Sequence, residues 1–164
     1  MVEQTQAEVH VPARFVGTFR HRIDEKGRVA VPAQLRRMLP SGSMVAPGPD
    51  GRLMIWPPQE WERQLEHFRR TAETPAQERR FLRAFTGKSY PFEVDAQGRL
   101  LLMAPHRAFA HLVDSVVFVG LDTCVEVAAG ELLEPDEIEL TNEGFTQMWD
   151  LVHQRGMSAP PSPA

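Results

Sequence analysis

The chain has 164 residues, 42% of them hydrophobic and 24% charged, with a formal net charge of −4 and a single cysteine, Cys124. That length builds one ordinary domain or two small ones, and one cysteine excludes an intrachain disulfide and a thiolate metal cluster. No apolar run approaches the roughly 18–20 residues that cross a bilayer, and the polar start Met1-Val2-Glu3-Gln4-Thr5-Gln6 lacks the basic-then-apolar order of a signal peptide, so the expected location is the cytoplasm.

In chain order, residues 1–13 show no periodicity and read as a flexible arm. Ala13 to Ile23 predicts a strand with Phe15, Gly17, Phe19, His21 and Ile23 on one face and Arg14, Thr18, Arg20 and Arg22 on the other. A second strand returns at Val29-Ala30-Val31, and Pro32 opens a short helix to Leu39 with Leu35, Met38 and Leu39 inward and Arg36 and Arg37 nearer solvent. Met44 to Ala46 and Arg52 to Trp56 predict strands around the turn Pro47-Gly48-Pro49-Asp50-Gly51. Pro57-Pro58 starts a helix with Trp61, Leu65 and Phe68 along one side. Thr74-Pro75-Ala76-Gln77 carries the marks of another helix start, whose buried side is Phe81, Leu82 and Phe85 and whose stop is Gly87.

From Lys88 the order repeats: a strand to Val94, a turn, a strand Arg99 to Leu102, a short helix around Pro105 to Leu112, and strands Val116 to Val119 and Cys124 to Val127. Cys124 lies in an apolar run, where a buried small hydrophobe is expected. Glu134 to Glu139 is an acidic connector. Glu143 to Arg155 predicts a helix with Phe145, Met148, Trp149 and Val152 on one stripe and Gly156 as its stop. The tail 156–164, rich in Pro, Ser and Ala, reads as disordered.

The repetition is detailed. At a spacing of 71, Asp24/Asp95, Gly27/Gly98, Arg28/Arg99, Ala33/Ala104 and Arg36/Arg107 are identical, while Phe19/Tyr90, Ile23/Val94, Val29/Leu100 and Val31/Leu102 keep their character. In each copy two β-rich runs flank a four-residue connection ending in Gly, which predicts a β-hairpin with its Gly at positive φ and its Asp closing the turn by accepting loop amides. Further on, Gly120-Leu121-Asp122-Thr123 echoes Gly48-Pro49-Asp50-Gly51. For a single copy, Asp-x-x-Gly-Arg is equally a stable turn bearing a solvated arginine.

The charge is unevenly spread. Arg14 to Arg37 holds seven basic residues (Arg14, Arg20, Arg22, Lys26, Arg28, Arg36, Arg37) against Asp24 and Glu25, a balance of +5. Glu131 to Asp150 holds seven acidic residues and no Lys or Arg, so the overall charge averages two opposed regions. Sixteen of the eighteen basic residues are Arg, whose planar fork suits phosphate and guanine. The alternative is a solvated basic face balanced by acidic ones. Around the second turn Lys88, Arg99 and Arg107 stand against Glu93 and Asp95, only +1, so the positive charge concentrates at the first hairpin.

The run from Phe19 to Leu39 resembles the AbrB-like swapped-hairpin DNA-binding sequence. Two such copies, each with Asp-x-x-x-Arg and separated by the helix pair that begins at Trp56-Pro57, resemble the MraZ family of bacterial regulators associated with the division and cell-wall gene cluster, over roughly Phe15 to Arg155. The resemblance implies an α+β, β-rich fold: two tandem AbrB-like swapped-hairpin β-barrel halves (14–87 and 88–155, the latter including the C-terminal helix) forming one pseudo-symmetric domain with peripheral helices. It further implies a ring of subunits, nucleoid association, and binding to double-stranded promoter DNA at short direct repeats upstream of its own operon. The expected DNA-contacting residues are Arg20, Arg22, Lys26, Arg28, Arg36, Arg37 and Arg99; Asp24, Gly27, Asp95 and Gly98 shape the turns. No cofactor, metal, membrane or small-molecule substrate is expected. The sequence departs from the family pattern at Met103, which replaces the Pro expected after the second strand, and at Ala128 to Glu131, which lacks an aromatic common in the family.

Two rival readings carry less. Symmetric Asp24 and Asp95 invite comparison with a paired-carboxylate hydrolase, yet neither precedes Thr/Ser-Gly and each is followed by Arg four residues on. The six histidines show no metal-ligand spacing. An antitoxin-type swapped-hairpin module, in which DNA binding is secondary to holding a partner, has one hairpin domain and a long tail, whereas this chain has two copies and a short one.

Overall fold

A computed structural model describes residues 14–130 and 141–157. The expected arm, the acidic connector and most of the expected tail lie outside the described residues.

The first copy contains β1 (Thr18–Arg22), β2 (Arg28–Ala30), α1 (Ala33–Arg36), β3 (Met44–Pro47) and β4 (Leu53–Trp56). The helices α2 (Pro58–Thr71) and α3 (Pro75–Phe85) follow. The second copy contains β5 (Tyr90–Pro91), β6 (Arg99–Leu101), α4 (Ala104–Phe109), β7 (Ser115–Gly120) and β8 (Val125–Ala129). A six-stranded antiparallel sheet runs in the order β1-β7-β8-β4-β3-β5, and β2 pairs with β6 in a separate two-stranded ribbon. Exchanging each element for its counterpart (β1 with β5, β2 with β6, β3 with β7, β4 with β8) turns that order into its own reverse, so the duplication is a pseudo-twofold in space. The axis passes by the central ribbon pair Val29↔Leu100, flanked by the equivalent pairs Arg28↔Leu101 and Ala30↔Arg99.

The expected hairpin turn forms in each copy, but the strands beyond it pair between copies. The chain meets itself across each turn at the bridges Ile23↔Val29 and Val94↔Leu100 and at the hydrogen bonds from Asp24 N–H to Arg28 C=O (2.8 Å) and from Asp95 N–H to Arg99 C=O (2.9 Å). Beyond those bridges each strand leaves for the other copy: β1 pairs with β7, β5 with β3, and β2 with β6. Pairing between copies lets the ribbon lie across the sheet and bury its inward residues, which an isolated two-stranded hairpin could not do. The sheet itself does not close into a barrel; β1 and β5 are its edges.

The main core lies between one face of the sheet and the ribbon. Val45, Leu53, Ile55, Val116, Phe118, Val125 and Val127 from the sheet meet Val29, Val31, Leu100 and Leu102 from the ribbon region, with Leu35 and Leu39 at α1. The other face, at its β3–β4 end, carries the helical hairpin: Ala46 packs with Trp61, Leu65 and Phe85. The Thr74 hydroxyl accepts from Gln77 N–H at 3.2 Å, as the start signal predicts, while the Gln77 side chain accepts from Glu73 N–H at 2.9 Å, one residue earlier than a standard capping box. Asp50 and Asp122 both adopt left-handed backbone, at φ 56° and 62°, so the echoed turns agree at their shared aspartate. Cys124 is buried, and burial pushes its thiol up to about 11.

The compact units divide between Gly130 and Glu131. The helix α5 (Asn142–Met157) therefore lies in the second of these units. The repeated pattern ends with β8, so nothing in the duplication requires that helix. Its start is capped by the Thr141 hydroxyl, which accepts from Gly144 N–H at 3.1 Å, and it continues through Gly156, the expected stop.

Candidate nucleic-acid interface

Each turn is locked by its own aspartate. Asp24 Oδ1 accepts from the backbone N–H groups of Lys26 and Arg28, both at 2.9 Å, and Asp24 Oδ2 accepts from Arg28 Nε at 2.8 Å. The second copy repeats this: Asp95 Oδ1 accepts from Gln97 N–H at 2.9 Å and Arg99 N–H at 3.0 Å, and Oδ2 from Arg99 Nε at 2.8 Å. Gly27 and Gly98 take φ of 80° and 75°, the left-handed region that closes the turn. Arg99 Nη1 also reaches Asp24 Oδ2 at 3.7 Å, which ties the two copies together across the ribbon.

The aspartate engages Arg28 through Nε, leaving the two terminal nitrogens for another planar acceptor. Along β2, Val29 enters the core, so Arg28 and Ala30 face outward; along β6, Leu100 enters and Arg99 and Leu101 face outward. The outer ribbon face is thus two arginines on one diagonal and two small or apolar residues on the other.

The remaining expected residues divide. Lys26 is exposed on the first turn and Arg37 is exposed just after α1. Arg36, expected nearer solvent, is half-buried across the second turn, where a Cβ on Gly98 would lie 1.6 Å from its Nη1. Its counterpart Arg107 lies over the first turn, 3.0 Å from where a Gly27 Cβ would be, with a buried Nε that finds no hydrogen-bond partner among the described residues. Arg107 was not among the expected site residues, although its identity with Arg36 at the repeat spacing was the available signal. On β1 and just past it, Phe19, His21 and Ile23 turn toward the core, so Arg20 and Arg22 project from the opposite side of the sheet, away from the ribbon. Arg20 there donates from Nη1 to Gly130 C=O at 2.6 Å.

The glycines therefore serve twice, in backbone conformation and in admitting an arginine from the other copy. Gly27→Ala is expected to cost about 1–3 kcal/mol, because its Cβ meets both the positive φ and the Leu102 carbonyl at 3.1 Å. A urea midpoint unchanged from the parent would contradict this account of the turn.

The turns also set a pH dependence. The Arg28 backbone N–H, with the Arg28 side chain and the Lys26 N–H, holds Asp24 below the ordinary aspartate value, and the Arg99 and Gln97 groups do the same for Asp95. The folded state thus favours the carboxylates, and as pH falls the unfolded chain takes up these protons first. Stability from the turns is present in full above about pH 4 and is lost as pH falls through the depressed folded values. Denaturant midpoints between pH 6 and pH 2.5 should fall on the acid side, and Asp24→Asn with Asp95→Asn should flatten that fall.

Among the described residues no cluster of His, Cys, Asp and Glu is arranged to hold a metal ion, and no helix is long and apolar enough to cross a membrane. The fold and surface define a class: an internally duplicated β-ribbon protein whose candidate site is a pair of aspartate-locked arginines on an outward face. Residues 14–84 and 85–128 match the family described as "MraZ protein, putative antitoxin-like", and the chain belongs to the MraZ family. Relatives named "Transcriptional regulator MraZ" include that of Heliobacterium modesticaldum, 38% identical over 117 residues (71% of this chain and 82% of the relative). That of Dehalococcoides mccartyi is 32% identical over 139 residues (84% and 95%), and that of Mycolicibacterium smegmatis 33% over 113 (69% and 79%). These names are those of regulators, not of enzymes.

Proposed function

We propose that this protein is a sequence-specific DNA-binding transcriptional regulator of the division and cell-wall gene cluster, acting in the cytoplasm on the nucleoid. In this reading it binds short direct repeats upstream of its own operon through the arginine-bearing ribbon, displayed on a ring-shaped oligomer of swapped-hairpin subunits. The observation that carries it is the diagonal Arg28/Arg99 pair on the outer face of a two-stranded ribbon, an element that the roughly 12 Å major groove admits. Arg28 and Arg99 offer terminal nitrogens to guanine or phosphate; Lys26, Arg36 and Arg37 supply neighbouring positive charge. Arg20 and Arg22, on the far side of the sheet, meet phosphates only where a duplex passes the β1 edge. Asp24 and Asp95 aim the arginines and do not face phosphate.

One ribbon makes few contacts, so affinity rests on several acting together. Titrating promoter fragments with one, two and three repeats is expected to raise affinity by about tenfold or more per repeat, with log K falling linearly in log salt. Affinity independent of repeat number would remove the avidity account.

The family description also names antitoxin-like proteins, so the second reading is a partner-holding module with secondary DNA binding. Gel filtration separates them: a large assembly shifted by promoter DNA supports the regulator, and a small dimer indifferent to DNA supports the module.

A further inference from the structure

The two copies share a framework but diverge sharply at one place. At the repeat spacing, Phe15, Phe19 and Leu35 of the first copy correspond to Thr86, Tyr90 and His106 of the second. In the first copy Phe15 and Leu35 are fully buried and Phe19 packs beside them, closing the region with carbon. In the second, Thr86 is exposed, and a cleft of 330 Å³ opens between the start of β5 and α4. Tyr90 and His106 line it with Pro47, Lys88, Met103 and Phe109.

Two polar groups in its walls lack partners. Tyr90 and His106 are each 8% exposed, with ring centroids 4.5 Å apart, and the Tyr90 hydroxyl and His106 Nδ1 are buried without a hydrogen-bond partner among the described residues. Leaving two such groups unpaired is costly, and a core of the first copy's type would have avoided it. The His106 Nε2 contact is with the Lys88 carbonyl, which only accepts, so Nε2 is the donor there, and in the singly protonated ring Nδ1 is left as an acceptor. Burial pushes the Tyr90 phenol well above its usual value, so its hydroxyl keeps its proton and serves as donor or acceptor. The surrounding walls, Pro47, Met103 and Phe109, are apolar, and Met103 and Phe109 are 44% and 39% exposed, which leaves an entrance.

We infer that this cleft is a binding site for a small aromatic or heteroaromatic molecule bearing an N–H or O–H donor, the ring lying against Pro47, Met103 and Phe109 and the donor meeting His106 Nδ1. The size is at the small end of ligand sites, about 300–1,000 Å³. Tyr90 and Met103 also line the groove beside Arg28 and Arg99, so an occupant would touch the support of the ribbon, but the binding itself does not depend on the DNA reading.

The test uses the full chain with methionine methyls labelled, titrated with indole, benzimidazole and phenol, and with toluene as a ring lacking the donor. Saturable shifts at Met103 are expected for at least one donor-bearing probe with a dissociation constant near or below about 1 mM, and binding of toluene about tenfold weaker or worse. The double variant Tyr90→Phe/His106→Leu installs the first copy's residues, should keep or raise the melting temperature, and should weaken that probe at least about tenfold. No saturable binding by any probe would mean the cleft holds only water, and equal binding of toluene or an undiminished affinity in the folded variant would likewise overturn the site.

Discussion

Replacing Arg28 and Arg99 together by alanine is expected to lower affinity for a promoter fragment by roughly 10²- to 10⁴-fold, since each good bidentate base contact contributes about 1–3 kcal/mol. The two side chains stand on one diagonal of the ribbon, each oriented through Nε by its own aspartate, so neither compensates for loss of the other. Arg28→Lys separates charge from geometry. A lysine keeps the positive charge but cannot present the arginine fork, so it should retain salt-sensitive, non-specific binding and lose sequence preference. The control is Arg20→Ala with Arg22→Ala, on the other side of the sheet. Electrophoretic mobility shifts with specific and scrambled fragments decide the matter: a larger loss from the β1 pair than from the ribbon pair would put the duplex on the wrong face for this proposal.

Phe118→Ala is expected to destabilise the fold by about 3–5 kcal/mol. Phe118 lies in β7, is fully buried, sits directly across from Phe19 and packs T-shaped against His21 with ring centroids 6.1 Å apart. Its strand is the one on which β1 of the other copy pairs, so the cavity opens where the copies join and has little freedom to collapse. That cost is a large fraction of the roughly 5–15 kcal/mol by which domains are stable. Urea unfolding should show a lower midpoint at unchanged slope; a loss under about 1 kcal/mol would mean that the join between the copies does not depend on this core.

Much of the local structure follows from local chemistry. Asp24 to Arg28 and Asp95 to Arg99 announce their turns because an aspartate accepting loop amides and a glycine at positive φ are complete within five residues. Thr74 and Gln77 mark a helix start for the same reason, and the spacing of Trp61, Leu65, Phe81 and Phe85 marks the buried side of the helical pair. The repeat at a spacing of 71, visible without coordinates, also determines that whatever one copy does the other must nearly repeat.

Partner choice belongs to the tertiary structure. Alternation along β1 shows that Phe19 and His21 turn one way and Arg20 and Arg22 the other, yet the same pattern would suit a partner in either copy. Only the assembled fold pairs β1 with β7 in the sheet and β2 with β6 in the ribbon, and so sets Arg20 and Arg22 on the side away from the ribbon and lays Arg36 and Arg107 each over the other copy's turn. The physical reason is range: turn and helix signals are settled by atoms a few residues apart, whereas strand pairing and the burial of an arginine against a glycine 62 residues away depend on which surfaces the whole chain removes from water together.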